Sequence, residues 1–412
     1  MAARRILITG VATHWGGALA RALEADPEIE AIVGIDREDP VVELERTEFV
    51  RVGAQHQLLR RILRAARIDA VVDTRMIVDA TTAAPRAAHE NNVIGTMELL
   101  AACSSTDVPP ALVFKSSAHW YGCNQDDPAY FTEDMGRRHR PRTALERDIV
   151  EAEEAVAEYA ERHPRTPVAV LRFVNVLGPG LRTSHSDLLG LPAVPAILGF
   201  DPRYQFVHED DVVGALEHAL REGLHGTYNC AADGVLAWSE VAGLLGKLPA
   251  PILAPWGTGL SAAALRPLGI RIPPEMLRQL RFGRAVDNRA LKATGHRLRY
   301  TTRETVLKLR EHQRLRPLRS RMGEPYRYER DVEEFLRRSP AAQGSLAAPA
   351  AAAAAPRLGQ AGGFDALEAE EVVAVLDALD STSLQALRAH EAGNAARPRV
   401  LAAIDALIAG RG

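Results

Sequence analysis

None of the eight tyrosines in this 412-residue chain is followed four positions later by a lysine. On a helix that spacing puts both side chains on one face, where the lysine charge lowers the phenol pKa from about 10 and lets the tyrosine move a proton. Its absence excludes one common proton-transfer device. Lysine is scarce altogether: Lys115, Lys247, Lys292 and Lys308 are the full set, so lysine-dependent chemistry has four candidates. Cys103, Cys123 and Cys230 are few, odd in number and widely spaced. That excludes a disulfide framework and a cysteine metal cage, and it points to a reducing, cytoplasmic setting. No apolar run approaches the roughly 18 residues of a membrane span, and the opening run is too short for a signal segment. A net charge of −3 exerts no general pull toward nucleic acid or anionic membrane. No metal site is expected: Asp210 and Asp211 read as helix-start residues rather than metal ligands.

What is present alternates. Residues 1–175 switch between short β-rich runs and helical patterns, which predicts a doubly wound parallel α/β sheet of the Rossmann type. Strands are expected at Arg5–Thr9, Ala31–Ile35, Ala70–Asp73, Ala111–Phe114 and Val168–Leu171, with helices over 56–66, 83–103 and 142–162. Residues 176–312 mix short strands, such as Gln205–His208 and Gly226–Cys230, with helices and form a smaller substrate-facing part. A basic extension (313–338) and a low-complexity linker (339–363) follow. Residues 364–412 regain amphipathic spacing and predict a helical hairpin that docks on another surface, a protein partner among them.

The first turn carries the chemistry. A strand, Gly10, then Gly16 at a helix start, and an acid (Asp36) ending the next strand form a dinucleotide-binding arrangement. Glycine permits the tight turn and close backbone approach, and the helix N-terminus then faces a pyrophosphate. Asp36 would take ribose hydroxyls, which favours NAD; Arg37 keeps NADP open through a 2′-phosphate.

The stretches ILITGVATHWGG, VGIDR, NNVIGTMELLAAC, LVFKSSAHWYG, LRFVNVLGPG, FVHEDDVVGAL and GTYNCAADGVLAWSEV occur in that order over residues 4–310. With them the chain resembles the extended short-chain dehydrogenase/reductases of the NAD-dependent epimerase/dehydratase type. The resemblance implies an NAD-binding fold, with Gly10 and Gly16 as turn glycines and Thr13 replacing the middle one, its hydroxyl free to donate to a phosphate. It further implies that Ser117 orients substrate, that Asn92 lies in the site, and that Asn175 lies near nicotinamide and substrate. Aligned on Pro141 and Glu153, Leu145 stands at the family's tyrosine and Ile149 at its lysine. Arg75 occupies a strand end that is usually small, and the family's acid near the adenine is missing from FVRVGAQ.

His119 and Tyr121 are the candidate replacement acid/bases. Alternation along the strand turns Lys115 away, to a surface or packing position, and His208 is expected to pack between domains. The preferred reading is an NAD(P)-binding protein with weakened or lost redox catalysis and a binding or regulatory role. A second is an active oxidoreductase or epimerase on a nucleotide sugar or lipid-like alcohol, and a third a structural interaction protein with a closed cleft. The resemblance also implies a homodimer, and the helix 142–162 retains Leu145, Ile149, Val156 and Tyr159 along one stripe for it.

Overall fold

The run RILIT places four successive buried residues in β1 (Arg5–Thr9), as a strand covered on both faces requires. Similar runs make β2 (Ala31–Asp36), β4 (Ala70–Asp73), β5 (Ala111–Ser117) and β6 (Val168–Phe173). Together with β3 (Thr47–Arg51) and β11 (Gly226–Cys230) they form one seven-stranded sheet in the order β11-β6-β5-β4-β1-β2-β3. Every neighbouring pair in it is parallel. The expected doubly wound sheet is therefore present. This computed structural model describes residues 4–52, 56–252, 272–321, 381–393 and 397–411.

Helices cover both faces. On one, α1 (His14–Glu24) and α7 (Glu209–Glu222) pack over Ile6, Ile8, Val72 and Val113. On the other, α2 (His56–Ala65), α4 (Gly95–Ser104) and α5 (Ala144–Arg162) cover Leu7, Val71, Leu112 and Val170. The expected helix 83–103 is α3 (Pro85–His89) running through a π-helical turn, Glu90–Ile94, into α4. The stripe offered for a dimer lies inside the chain: Leu145, Ile149, Val156 and Tyr159 are all buried against the sheet. It is a core face and gives a dimer no support.

A second core gathers Leu177, Leu188, Val194, Tyr204, Phe206, Trp238, Met276 and Val306 into a smaller lobe. The helix Thr302–Arg321 sends Val306 and Leu309 into this core, ahead of the basic extension. The C-terminal unit, Gly323–Gly412, is described in two helices, Ser381–Gly393 and Pro398–Arg411. They pack through Leu384, Leu387, Val400 and Ile404. The linker 339–363 and the extension beyond residue 321 lie outside the described residues.

One buried ion pair ties α5 to the sheet. Arg172 of β6 donates from Nε and Nη2 to Glu153 at 2.9 and 2.6 Å, and Ser116 of β5 donates to the same carboxylate. The guanidinium also lies 3.5 Å over the Trp120 ring. Removing one partner of such a pair strands the other charge in the interior, at about 3–5 kcal/mol. Glu153→Ala should lower unfolding stability by that amount in urea titration; a loss under about 1 kcal/mol would show that α5 is held by apolar packing alone.

Candidate functional site

The β1–α1 turn leaves no room for side chains at its glycines. Gly10 has φ +82°, which favours glycine, and a Cβ on Gly16 would collide with the Gly10 carbonyl oxygen. Thr13 caps α1: its hydroxyl accepts from Gly16 N at 3.1 Å and donates to the Gly10 carbonyl at 2.7 Å. The hydroxyl expected to reach toward a phosphate is thus engaged within the turn. Asp36 closes the turn from β2, accepting from the amides of Ala12 (3.0 Å) and Arg37 (2.7 Å).

A crevice follows the carboxyl ends of the strands at the switch between β1 and β4, where doubly wound folds bind ligands. It has two sections. The first, about 180 Å³, lies at Asp36 and Arg37 with Ile35, Val52 and Leu59. The second, about 290 Å³, lies at Lys115, Ser117 and His119 with Trp15, Leu145 and Asn175. Thr13 and Arg75 line both and form the partition. Arg75 folds back on Asp73, donating from Nε at 2.9 Å and Nη2 at 2.7 Å. The Arg75 charge and these bonds hold the fully buried Asp73 carboxyl below its ordinary range against the opposing effect of burial.

Two asparagines fix the wall behind Arg75. Asn91 donates to the Arg75 carbonyl at 2.8 Å. Asn92 accepts from Ile77 N and donates to Ile77 O, each at 2.8 Å. Asn92 is buried behind the wall and lines neither section, so it positions the loop rather than facing a ligand. Asn175, at the start of β7 (Asn175–Leu177), does line the second section.

The proton-transfer candidates separate clearly. Ser117 Oγ lies 2.8 Å from His119 Nδ1, and both line the crevice. Burial, with the charges of Arg284, His185 and Arg137, drives the His119 pKa well down and keeps the ring neutral. Tyr121 does not qualify: its hydroxyl donates to Asn229 at 2.9 Å, its ring stacks on Phe131, and it is absent from the crevice wall.

Lys115 is the residue that strand alternation misplaced. Counted from Ser117, two positions on, it shares the crevice-side face. It is 2% exposed and lines the second section, with Nζ 5.1 Å from the Trp15 ring centroid and 6.0 Å from that of Phe173. No hydrogen bond or ion pair reaches Nζ among the described residues. Burial lowers its pKa to about 8, with the Asp73 charge acting the other way.

Residues 6–231 match the NAD dependent epimerase/dehydratase family. The chain belongs to that family. An uncharacterized protein of Mycobacterium tuberculosis is 32% identical over 314 residues, covering 73% of this chain and 81% of that one. Among solved structures, MoeE5 in complex with UDP-glucose and NAD aligns at TM-score 0.58 and 23% identity, over 76% of this chain and 99% of that one. A Thermotoga maritima UDP-glucose 4-epimerase with UDP-glucose aligns at TM-score 0.58 and 18% identity, with the same coverage. Both likenesses speak to fold.

The two residues expected at the family's tyrosine and lysine positions lie in different surroundings. Leu145 reaches the crevice, whereas Ile149 is sealed in the core beneath it. Among the described residues no helix is long and apolar enough to cross a membrane. His208 caps α7 and packs on Tyr300, and Asp211 in the same turn accepts from the amides of Arg299 and Tyr300. These residues join α7 to the segment at Arg299 and Tyr300.

The Asp73–Arg75 pair gives a pH prediction. A carboxyl held below its unfolded value of about 3.9 contributes stability that is present above that pH and fades as pH falls toward the lowered value. Arg75→Ala leaves Asp73 buried and unpaired, so it should cost about 3 kcal/mol at pH 7. Its acid unfolding midpoint, followed by circular dichroism, should move to higher pH; an unmoved midpoint would assign the pair no stabilising role.

Proposed function

We propose that the chain binds NAD(H) along this crevice in a binding or regulatory role, with the redox step of its family weakened or lost. What supports the reading is the pair of α5 residues expected at the family's tyrosine and lysine positions. Leu145 faces the crevice and Ile149 the core, so neither family position offers an ionisable group.

The residues fit a dinucleotide. The tight turn from Gly10 to Gly16 sets Thr13, the N-cap of α1, in the wall of both sections. Asp36 stands ready for ribose hydroxyls beside apolar walls at Val52 and Leu59 that suit an adenine ring. Arg37, exposed at the rim, leaves the 2′-phosphate of NADP acceptable. The cofactor, when bound, supplies hydride exchange. Ser117 and Asn175 would orient a second molecule, and Trp15, Leu145, Phe173 and Met276 exclude water around it. A nucleotide sugar is the first such molecule to test, since MoeE5 and the Thermotoga enzyme hold UDP-glucose. The apolar lining equally suits a lipid-like alcohol. The C-terminal helix pair, with a small core, is assigned to a protein partner.

The Ser117–His119 contact favours a second reading, an active enzyme in which neutral His119 accepts a proton through Ser117. NADH fluorescence titration should give saturable binding, and Asp36→Ala should weaken it about tenfold, the scale of a lost charge-assisted hydrogen bond. No binding at millimolar NADH sinks both readings. In a screen for NADH formation on nucleotide sugars and hydroxysteroids, turnover abolished by Ser117→Ala would refute the loss of catalysis.

A further inference from the structure

A dinucleotide with its adenosine at Asp36 and its pyrophosphate at the start of α1 has its other end in the second section, because Thr13 and Arg75 bound both sections. Lys115 is in that section, unpaired and almost wholly buried, with aromatic rings rather than carboxylates around its Nζ. Asp73 is the nearby acid that acts on it, and both Asp73 oxygens already accept from Arg75. The two redox forms of the cofactor differ in charge at that end: the oxidised nicotinamide ring is a cation, and the reduced ring is neutral.

We propose that Lys115 makes this crevice selective for NADH over NAD+, so that the protein responds to the redox state of the nucleotide pool without needing to turn it over. The proposal rests on the NAD(H)-binding reading above. Two cations in one largely apolar pocket repel, and separations of several ångströms at an interior screening between those of water and dry protein correspond to tenfold or more in affinity. The neutral ring meets no such penalty, and the ammonium keeps its contact with the Trp15 face.

The selectivity carries a sign in pH. Lys115 is a cation below about pH 8 and neutral above it, so preference for NADH is present at pH 7 and fades by pH 9.5. The other charged groups around the section are identifiable. From β4 and its loop come Asp73, Arg75 and Asp79, and from α1 and α7 the contact of His14 with Glu209 at 3.2 Å. His119 follows β5, His185 lies on α6 (Ser184–Gly190), Arg182 pairs with Asp187, and Glu275 begins the helix Pro274–Phe282. Burial lowers His185 to about 4 and His119 well below its ordinary value, so both stay neutral throughout. Asp73, Asp79 and Glu209 are held below the ordinary carboxylate range and stay charged. Among these displaced groups, Lys115 alone crosses the window.

The test uses the full chain, with NADH titrated by fluorescence and NAD+ by competition against it, at pH 7 and pH 9.5. The expected ratio of dissociation constants, NAD+ over NADH, is about tenfold or more at pH 7 and falls toward one at pH 9.5. Lys115→Met, similar in length and apolar, should bring the ratio near one at both values. Should that variant not fold, the pH dependence of the unaltered chain still decides. A ratio within about twofold at pH 7, or a tenfold ratio that persists at pH 9.5 or in Lys115→Met, overturns the proposal while leaving cofactor binding intact. Binding of neither form overturns the NAD(H) reading itself.

Discussion

The buried contact between Asp73 and Arg75 governs the rest of the crevice. A carboxylate at the end of a central strand must find donors, and Arg75 occupies both oxygens from two residues away. In reaching back, the Arg75 stem passes beside Gly10, where a Cβ would lie 2.7 Å from Cγ. The crevice is thereby divided, and Lys115 is left with rings for neighbours. Division, desolvation and an unpaired amine thus share one origin.

α5 is held by packing that depends on no chemical role at the crevice. Its buried stripe, the Glu153–Arg172 pair and the cap from Thr143 to Glu146 N hold it in place whatever faces the crevice at Leu145. Ile149 sits in the apolar core and Leu145 in the crevice wall, so both positions serve packing. Retention of the helix is therefore no sign of retained catalysis.

The sheet was legible because its central strands are continuous apolar runs, and β1, β4 and β11 occupy the expected residues. The smaller lobe was less so: β9 (Arg203–Tyr204) and β12 (Leu236–Ala237) are two residues each, too short for periodicity to register. At the site, Ser117 and Asn175, which the resemblance implied, and Asp36, read from its place at the end of β2, all line the crevice. Lys115 was missed because alternation assigns faces only relative to a chosen residue. Tyr121 and Asn92 were misjudged because their partners, Asn229 and Ile77, are brought near only by folding. Thr13 was read as a donor to a ligand before the cap it makes with Gly16 was visible.

The π-helical turn at Glu90–Ile94 has a consequence for how this chain can vary. Such a turn holds one residue more than regular α-helix over the same rise. It lets Asn91 and Asn92 both reach the loop at Arg75 and Ile77 while Leu99 and Leu100 still face the core. Deleting one residue would restore a regular helix with its flanks facing as before, but would withdraw one of these two asparagines from the wall. The extra residue of the turn is thus what lets a single helix fix the crevice wall at two successive points, Arg75 and Ile77.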